Sequence, residues 1–199
     1  MNSIKYYDEN ALEFFNNTAF ADMKELYDKF LKYLNKSAHI LDAGCGSGRD
    51  TKYFLDMGFK VTAIDASEEM TKLSSNFTGQ KTIKMRFEEM NFKNEFDAIW
   101  ACASLLHVPK TNIKEVLDKF SNSLKDNGII FASFKYGDGQ EIRGGRLFNN
   151  YNENTLKKLI DAFPLFTILD MWKTKDVREE RKNEDWISVI IKKWGRNGS

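Results

Sequence analysis

Cysteine, proline and histidine are all scarce in this chain, two of each among 199 residues. Two cysteines, Cys45 and Cys102, exclude a secreted disulfide scaffold and fit a reducing compartment. Even with the two distant histidines, His39 and His107, they cannot supply the clustered ligands of a tetrahedral zinc site, so no metal is expected. With Pro109 and Pro164 the only prolines, no proline-rich linker divides the chain. An uncharged apolar run of about 18 residues is also missing, and the opening MNSIKYYDENALEFF has no basic segment followed by an apolar core. These absences predict a cytoplasmic protein that neither leaves the cell nor spans a membrane. Thirty basic against 29 acidic residues leave a formal charge of +1, so no global field draws a polyanion. A local patch with Arg143, Arg146, Lys173 and Lys175 keeps a nucleic-acid or protein partner open. Ser47 and Ser104 lie outside any Gly-x-Ser-x-Gly elbow, and no catalytic triad is indicated.

What is present is a repeat-free chain in which short β-rich runs alternate with amphipathic segments from residue 38 onward, the pattern of a mostly parallel sheet covered by helices. Strands are expected at His39 to Ala43, Lys60 to Ile64, Lys81 to Met85, Phe96 to Trp100 and Gly128 to Phe134. Between them, Asp50 to Met57 reads as a helix stopped by Gly58, Ser67 can cap the next, and Ile113, Val116, Leu117 and Phe120 set a third at helical spacing. After a helix near Glu153 to Phe163, two runs, Phe166 to Thr174 and Trp186 to Lys193, flank the charged stretch 175–185 and suggest an antiparallel pair. The first 36 residues look helical, with Leu26, Phe30 and Tyr33 on one face, and pack across the top or side of the sheet.

Glycines at 44, 46 and 48 fall directly after the first strand and before a helix. Glycine allows positive φ and close backbone approach to a ligand, and the helix start offers unsatisfied N–H groups. Asp42 before the turn could face an ammonium group, and Asp65 at the end of the second strand could accept both hydroxyls of a ribose.

With ILDAGCGSGRD, VTAIDASEEM and FDAIWACASLLHVP in these positions, the sequence resembles the class I S-adenosylmethionine-dependent methyltransferases, most closely over residues 38 to 134. The resemblance implies an α/β, Rossmann-like, doubly wound and mostly parallel sheet of seven strands ending in an antiparallel pair. It implies one domain over 1–199, with a helical cap at 1–36, a cofactor-binding core at 37–134, and an acceptor loop, helix and terminal strand pair at 135–199. Through the resemblance, Gly44, Cys45 and Gly46 pass the methionyl group of S-adenosylmethionine, Asp65 holds the ribose, and Ala66 and Met70 pack on adenine. The third family motif departs from pattern: Arg86 stands where many members have an acid, which leaves the backbone of Phe87 and Glu88 to meet the adenine edge, or Glu88 and Glu89 as solvated charges. Ala101 and Cys102 follow the fourth strand, so Cys45 and Cys102 are expected beside the cofactor as small packing residues; a reactive thiol would need an activating environment.

On the acceptor side, His107 is the candidate base, with a packing role as the alternative. The glycine-rich segment Tyr136 to Phe148 is expected as a mobile lid carrying Tyr136, Arg143 and Arg146, whose guanidinium forks suit an anionic or planar acceptor. Tyr6 and Tyr7 resemble the closing segment of small-molecule members, or else start a helix. The expected activity is methyl transfer to a small molecule with release of S-adenosylhomocysteine. A nicotinamide-dependent oxidoreductase, whose fingerprint would be Gly-x-Gly-x-x-Gly, and a non-catalytic cofactor-binding module are the competing readings. The acceptor and the oligomeric state are not legible.

Overall fold

A computed structural model describes residues 3–178 and 181–195. The N-terminal segment folds into three short helices, α1 (Ser3–Glu9), α2 (Ala11–Thr18) and α3 (Lys24–Leu31). No α1 residue is buried, whereas α3 buries Leu26, Tyr27 and Phe30. Tyr33 lies past the end of α3 and packs at the edge of the same apolar cluster rather than on the helix face.

The alternating part then runs β1 (His39–Ala43), α4 (Arg49–Asp56), β2 (Lys60–Asp65), α5 (Glu68–Thr78), β3 (Ile83–Lys84), β4 (Phe96–Ala101), α6 (Ile113–Ser123) and β5 (Leu124–Lys135). All five β1 residues are buried, as a central parallel strand requires when both faces are covered. Ser67 caps α5 as expected, its hydroxyl accepting from the Met70 N–H. The chain continues through β6 (Gln140–Arg143), β7 (Arg146–Asn149), α7 (Glu153–Asp161), β8 (Phe166–Lys175) and β9 (Asp185–Lys193).

Seven strands form one sheet in the order β3-β2-β1-β4-β5-β9-β8. β1 to β5 run parallel, and β9 inserts antiparallel between β5 and β8. The terminal pair is thus antiparallel, as its polar connection suggested. One apolar layer, with Val116, Phe120 and Leu156, packs α6 and α7 on one face. The other, with Phe30, Phe54, Trp100 and Phe131, packs α3 and α4 on the opposite face. Trp100 and Phe131 stack at 4.0 Å across β4 and β5. Among the described residues no helix is long and apolar enough to cross a membrane.

Three expectations need correcting. The third strand shrinks to Ile83–Lys84, because the Thr82 N–H is taken by Ser75 Oγ of α5. The fifth begins earlier, at Leu124, through a register irregularity where Asn127 adopts φ +64°. The expected mobile segment after it is instead a β-hairpin, β6 paired with β7. Its two-residue turn, Gly144-Gly145, has φ +54° and +77°, the double positive φ of a type I′ connection.

Candidate functional site

The strand order reverses between β1 and β4, and a crevice opens beyond the carboxyl ends of the strands at such a point. A cavity of about 410 Å³ lies there. Toward β2 and β3 it is bordered by Gly44, Cys45, Gly46, Asp65, Ala66, Met70, Phe87 and Glu88, eight of the residues singled out in the sequence. Cys102, His107, Tyr7 and Arg146 border its middle.

The turn after β1 is shaped by contact. Gly44 has φ +79°, and a Cβ there would come within 2.6 Å of Ser104 Cβ, so only glycine fits. The Gly44 and Cys45 N–H groups both donate to Ile64 O, tying the turn to the end of β2. Asp65, the last residue of β2, accepts from Gly46 N–H at 2.9 Å through one oxygen and from Ser67 N–H at 2.9 Å through the other. Burial lifts this carboxyl above its ordinary range, and those two N–H groups oppose the shift. Each oxygen keeps lone-pair capacity toward the cavity.

Asp42, expected beside Asp65, is not brought to the cavity wall. It is buried, and Thr51 Oγ1 of α4 donates to it at 2.6 Å. Burial and the neighbouring Asp50 charge push its pKa up to about 8, so Asp42 keeps its proton while Asp50 carries the charge. Against the cost of burial, Asp50 is held ionised by Arg49 at 2.7 Å, Tyr27 and the Trp100 indole N–H at 2.8 Å. Sequence reasoning gave Arg49 and Asp50 no role, although both border the cavity. Their place at the start of α4 directly after the glycine turn was the available signal.

Cys45 and Cys102 both border the cavity, but burial raises both thiols, Cys102 to about 12, so neither is an activated nucleophile. Cys45 Sγ lies 3.5 Å from Ser74 Oγ, and Cys102 Sγ accepts from Ser133 Oγ at 3.7 Å. Ala101 is fully buried within β4, behind the wall. In the third motif Glu89 accepts from the Arg86 N–H at 2.8 Å, which makes it the brace of a short 3₁₀ turn over Phe87–Glu89.

On the side expected for the acceptor, the Leu147 carbonyl lies 2.6 Å from His107 Nδ1 and can only accept, so Nδ1 carries the proton. Nε2 therefore accepts from the Tyr7 hydroxyl at 2.8 Å. Burial, aided by Arg146, lowers His107 to about 4 despite the Leu147 bond, and the imidazole is neutral. Arg146 of β7 lies 4.2 Å over the Tyr6 ring and 5.2 Å from that of Phe148, and its buried Nε has no partner among the described residues. α1 is latched at both ends of this region. Asp8 accepts from Ser67 Oγ at 2.6 Å, and Leu147 N–H donates to Ser3 Oγ at 3.1 Å.

Two expected acceptor residues fall outside the cavity. Tyr136 donates to Glu153 and lies under Lys173, and Arg143 pairs with Glu141 and Glu184 on the exposed side of the hairpin. With Lys175 paired to Asp185 and Arg146 drawn inward, the four basic residues do not form one cationic surface. Among the described residues no group of three or more histidine, cysteine or acidic side chains is placed to hold a metal ion.

A family model described as a methyltransferase domain matches residues 41–132. The candidate methyltransferase YqeM of Bacillus subtilis (strain 168) is 30% identical over 128 residues, covering 56% of this chain and 51% of that one. An uncharacterised methyltransferase of Geobacillus sp. (strain WCH70) is 28% identical over 177 residues, 85% of this chain and 78% of its own length. The chain spans about half the length of the first curated relatives it matches. Among solved structures, the 1,6-didemethyltoxoflavin-N1-methyltransferase of Burkholderia thailandensis superposes with a TM-score of 0.79 at 22% identity. That match covers 97% of this chain and 88% of the other, whose structure holds 1,6-didemethyltoxoflavin and S-adenosylhomocysteine. The glycine turn and the strand order agree with these matches: the chain matches a methyltransferase domain over residues 41–132 and has the fold of S-adenosylmethionine-dependent methyltransferases.

Proposed function

We propose that the chain transfers the methyl group of S-adenosylmethionine to a small-molecule acceptor and releases S-adenosylhomocysteine. The observation that carries this is Asp65, fixed by two backbone N–H groups at the cavity wall beside the Gly44-Cys45-Gly46 turn. A carboxylate so held can accept both ribose hydroxyls without rearranging. Ala66, Met70, Phe87 and Glu88 would border the adenine, and Cys45, Cys102 and the turn the methionyl group.

The sulfonium supplies an already activated methyl, so the protein's task is to orient donor and acceptor and to exclude water. His107 positions Tyr7, and Tyr7 presents the oxygen that can accept a hydrogen bond from an acceptor N–H or O–H. An imidazole at about pKa 4 is a poor proton store, which favours this positioning role over general-base catalysis. Arg146 borders the same space from the hairpin. A small acceptor also agrees with the fold relation to the 1,6-didemethyltoxoflavin-N1-methyltransferase. Seven strands drawn from residues 39 to 193 share one sheet, which supports a single domain, and two unpaired cysteines support a cytoplasmic location.

Calorimetry tests the reading. S-adenosylhomocysteine should bind saturably and NAD should not, and labelled methyl from the donor should appear in a small-molecule extract. NAD binding without S-adenosylhomocysteine binding would overturn it.

A further inference from the structure

Arg146 opens β7 and borders the cavity, while Arg143, its partner across the hairpin ladder, stays outside and pairs with Glu141 and Glu184. Among the described residues Arg146 has no carboxylate partner, and its buried Nε has no hydrogen-bond partner of any kind. What surrounds the guanidinium is aromatic. Its Cζ lies 4.2 Å from the ring centroid of Tyr6, 5.2 Å from that of Phe148 and 5.9 Å from that of Tyr7. It is also close enough to the Tyr7 hydroxyl to oppose the rise that burial imposes on that group. Rings and a neutral hydroxyl steady a cation without cancelling its charge. A buried donor on a charged group is costly to leave unsatisfied, so its natural partner is a ligand atom.

The sign of the charge along the neighbouring wall is a second, independent observation. Lys135 of β5 and Lys175, Arg178 and Arg181 from the end of β8 and its connection to β9 also border the cavity, and among the described residues Asp176 is the one acid beside them. Glu184 and Asp185, which pair with Lys135 and Lys175, do not border it. Asp176 is shared: it accepts from Arg178 at 2.8 Å, from the Trp186 indole N–H at 3.0 Å and from Lys135 at 3.4 Å. Burial lowers the Lys135 ammonium to about 8 against the pull of Asp176, and Arg178 and Arg181 add to the drop, the mark of a wall with an excess of positive charge.

We infer that the methyl acceptor is an anion and that Arg146 is the residue that reads it, taking a carboxylate of the acceptor through Nε and one terminal N–H. This deepens the methyltransferase reading and rests on it. One planar guanidinium fork matches two coplanar oxygens, whereas a tetrahedral phosphate dianion calls for donors from several directions. The nearest further fork, that of Arg178, is already spent on both oxygens of Asp176. An anion also complements the sulfonium of the donor, so each substrate gains from the other in a cavity closed to water. A cationic acceptor would meet Arg146 and the sulfonium together, and an uncharged one would leave the guanidinium without a counter-charge.

The test uses the whole protein saturated with S-adenosylhomocysteine, titrated by calorimetry with benzoate, its uncharged isostere benzamide, the cation benzamidine and phenyl phosphate. Benzoate should bind at least about tenfold tighter than benzamide or benzamidine, the scale of a charge-assisted pair. In Arg146→Gln the benzoate affinity should fall to that of benzamide, and Arg146→Lys, which keeps the charge and loses the fork, should lie between. In both variants the circular dichroism spectrum should be unchanged and S-adenosylhomocysteine affinity should stay within about twofold. Benzamide binding as tightly as benzoate, phenyl phosphate binding more tightly than benzoate, or no probe binding while S-adenosylhomocysteine binds would overturn the inference on the wild type alone, whatever the variants do. A benzoate preference that survives in folded Arg146→Gln would overturn it too. So would a loss of S-adenosylhomocysteine affinity in either folded variant, which would give Arg146 to the cofactor's own carboxylate. Failure of the wild type to bind S-adenosylhomocysteine would instead remove the methyltransferase reading and this inference with it.

Discussion

Asp65 ends β2, and Asp42 lies one residue short of the end of the neighbouring parallel strand β1, paired with Ala63, yet only Asp65 reaches the cavity. Asp65 follows β2 into open space, while Asp42 turns under α4 and is closed off by Thr51. Sequence position gave both acids the same promise, because spacing from the glycine turn says where a backbone ends and not which way a side chain is covered. The difference is measurable. Asp65→Ala should weaken S-adenosylhomocysteine binding by about 1.5 to 3 kcal/mol, the scale of hydrogen bonds to a charged acceptor. Its melting temperature should hold, and calorimetry with a melting curve reads both. Asp42 should act on stability instead. Its folded pKa of about 8 stands above the unfolded value near 3.9, so between those limits the folded state holds a proton that the unfolded chain lacks. Stability then falls as pH rises through that window, by up to about 1.4 kcal/mol per unit. Melting temperatures from pH 5 to 8 should decline in the wild type and flatten in Asp42→Asn. Parallel slopes would show that the proton is not held there.

The hairpin after β5 shows what short-range reading loses at the scale of elements. Two four-residue strands around Gly144-Gly145 are a legible hairpin signal, but Gln140–Arg143 offers a single apolar residue and no alternation to lift it above a polar loop. The long strands and α6 had no such difficulty, since Val116, Leu117 and Phe120 declare their own buried face. The charged connection between β8 and β9 hid more. Asp176 is buried there among partners from β5 and β9, a tertiary arrangement with no trace in a one-dimensional pattern. Replacing both turn glycines by alanine should cost about 1 to 2 kcal/mol per residue held at positive φ. Hydrogen exchange should then quicken across residues 140–149 while β1, β4 and β5 stay protected. Equal protection in the variant would show that the turn does not govern the hairpin.

Across the whole molecule, the alternation of strands and helices was the most legible property and the enclosure of the site the least. Alternating strands and helices dictate a reversal of winding, and the reversal dictates a crevice, but which surface segments roof it depends on contacts between residues more than 100 positions apart, such as Ser3 with Leu147. The roof is α1. It packs on α5 at one side and on β7 at the other, and Ser3, Ile4 and Tyr7 border the cavity beneath it. Because none of its residues is buried, α1 contributes little to global stability. A chain starting at Ala11 should melt within about 3 °C of the full chain, a shift of no more than about 1 kcal/mol for a domain of this size. Stopped-flow displacement should show S-adenosylhomocysteine leaving that chain at least about tenfold faster, because closure no longer gates the exit. An unchanged rate would mean that α1 is no barrier. The same helix packs on α5 and on β7 of the hairpin, so under the proposed function donor and acceptor would share one doorway. Spent cofactor and methylated product would then depart on a common clock, the opening rate of seven residues, and turnover would be insensitive to how strongly either product is held once that rate is slowest.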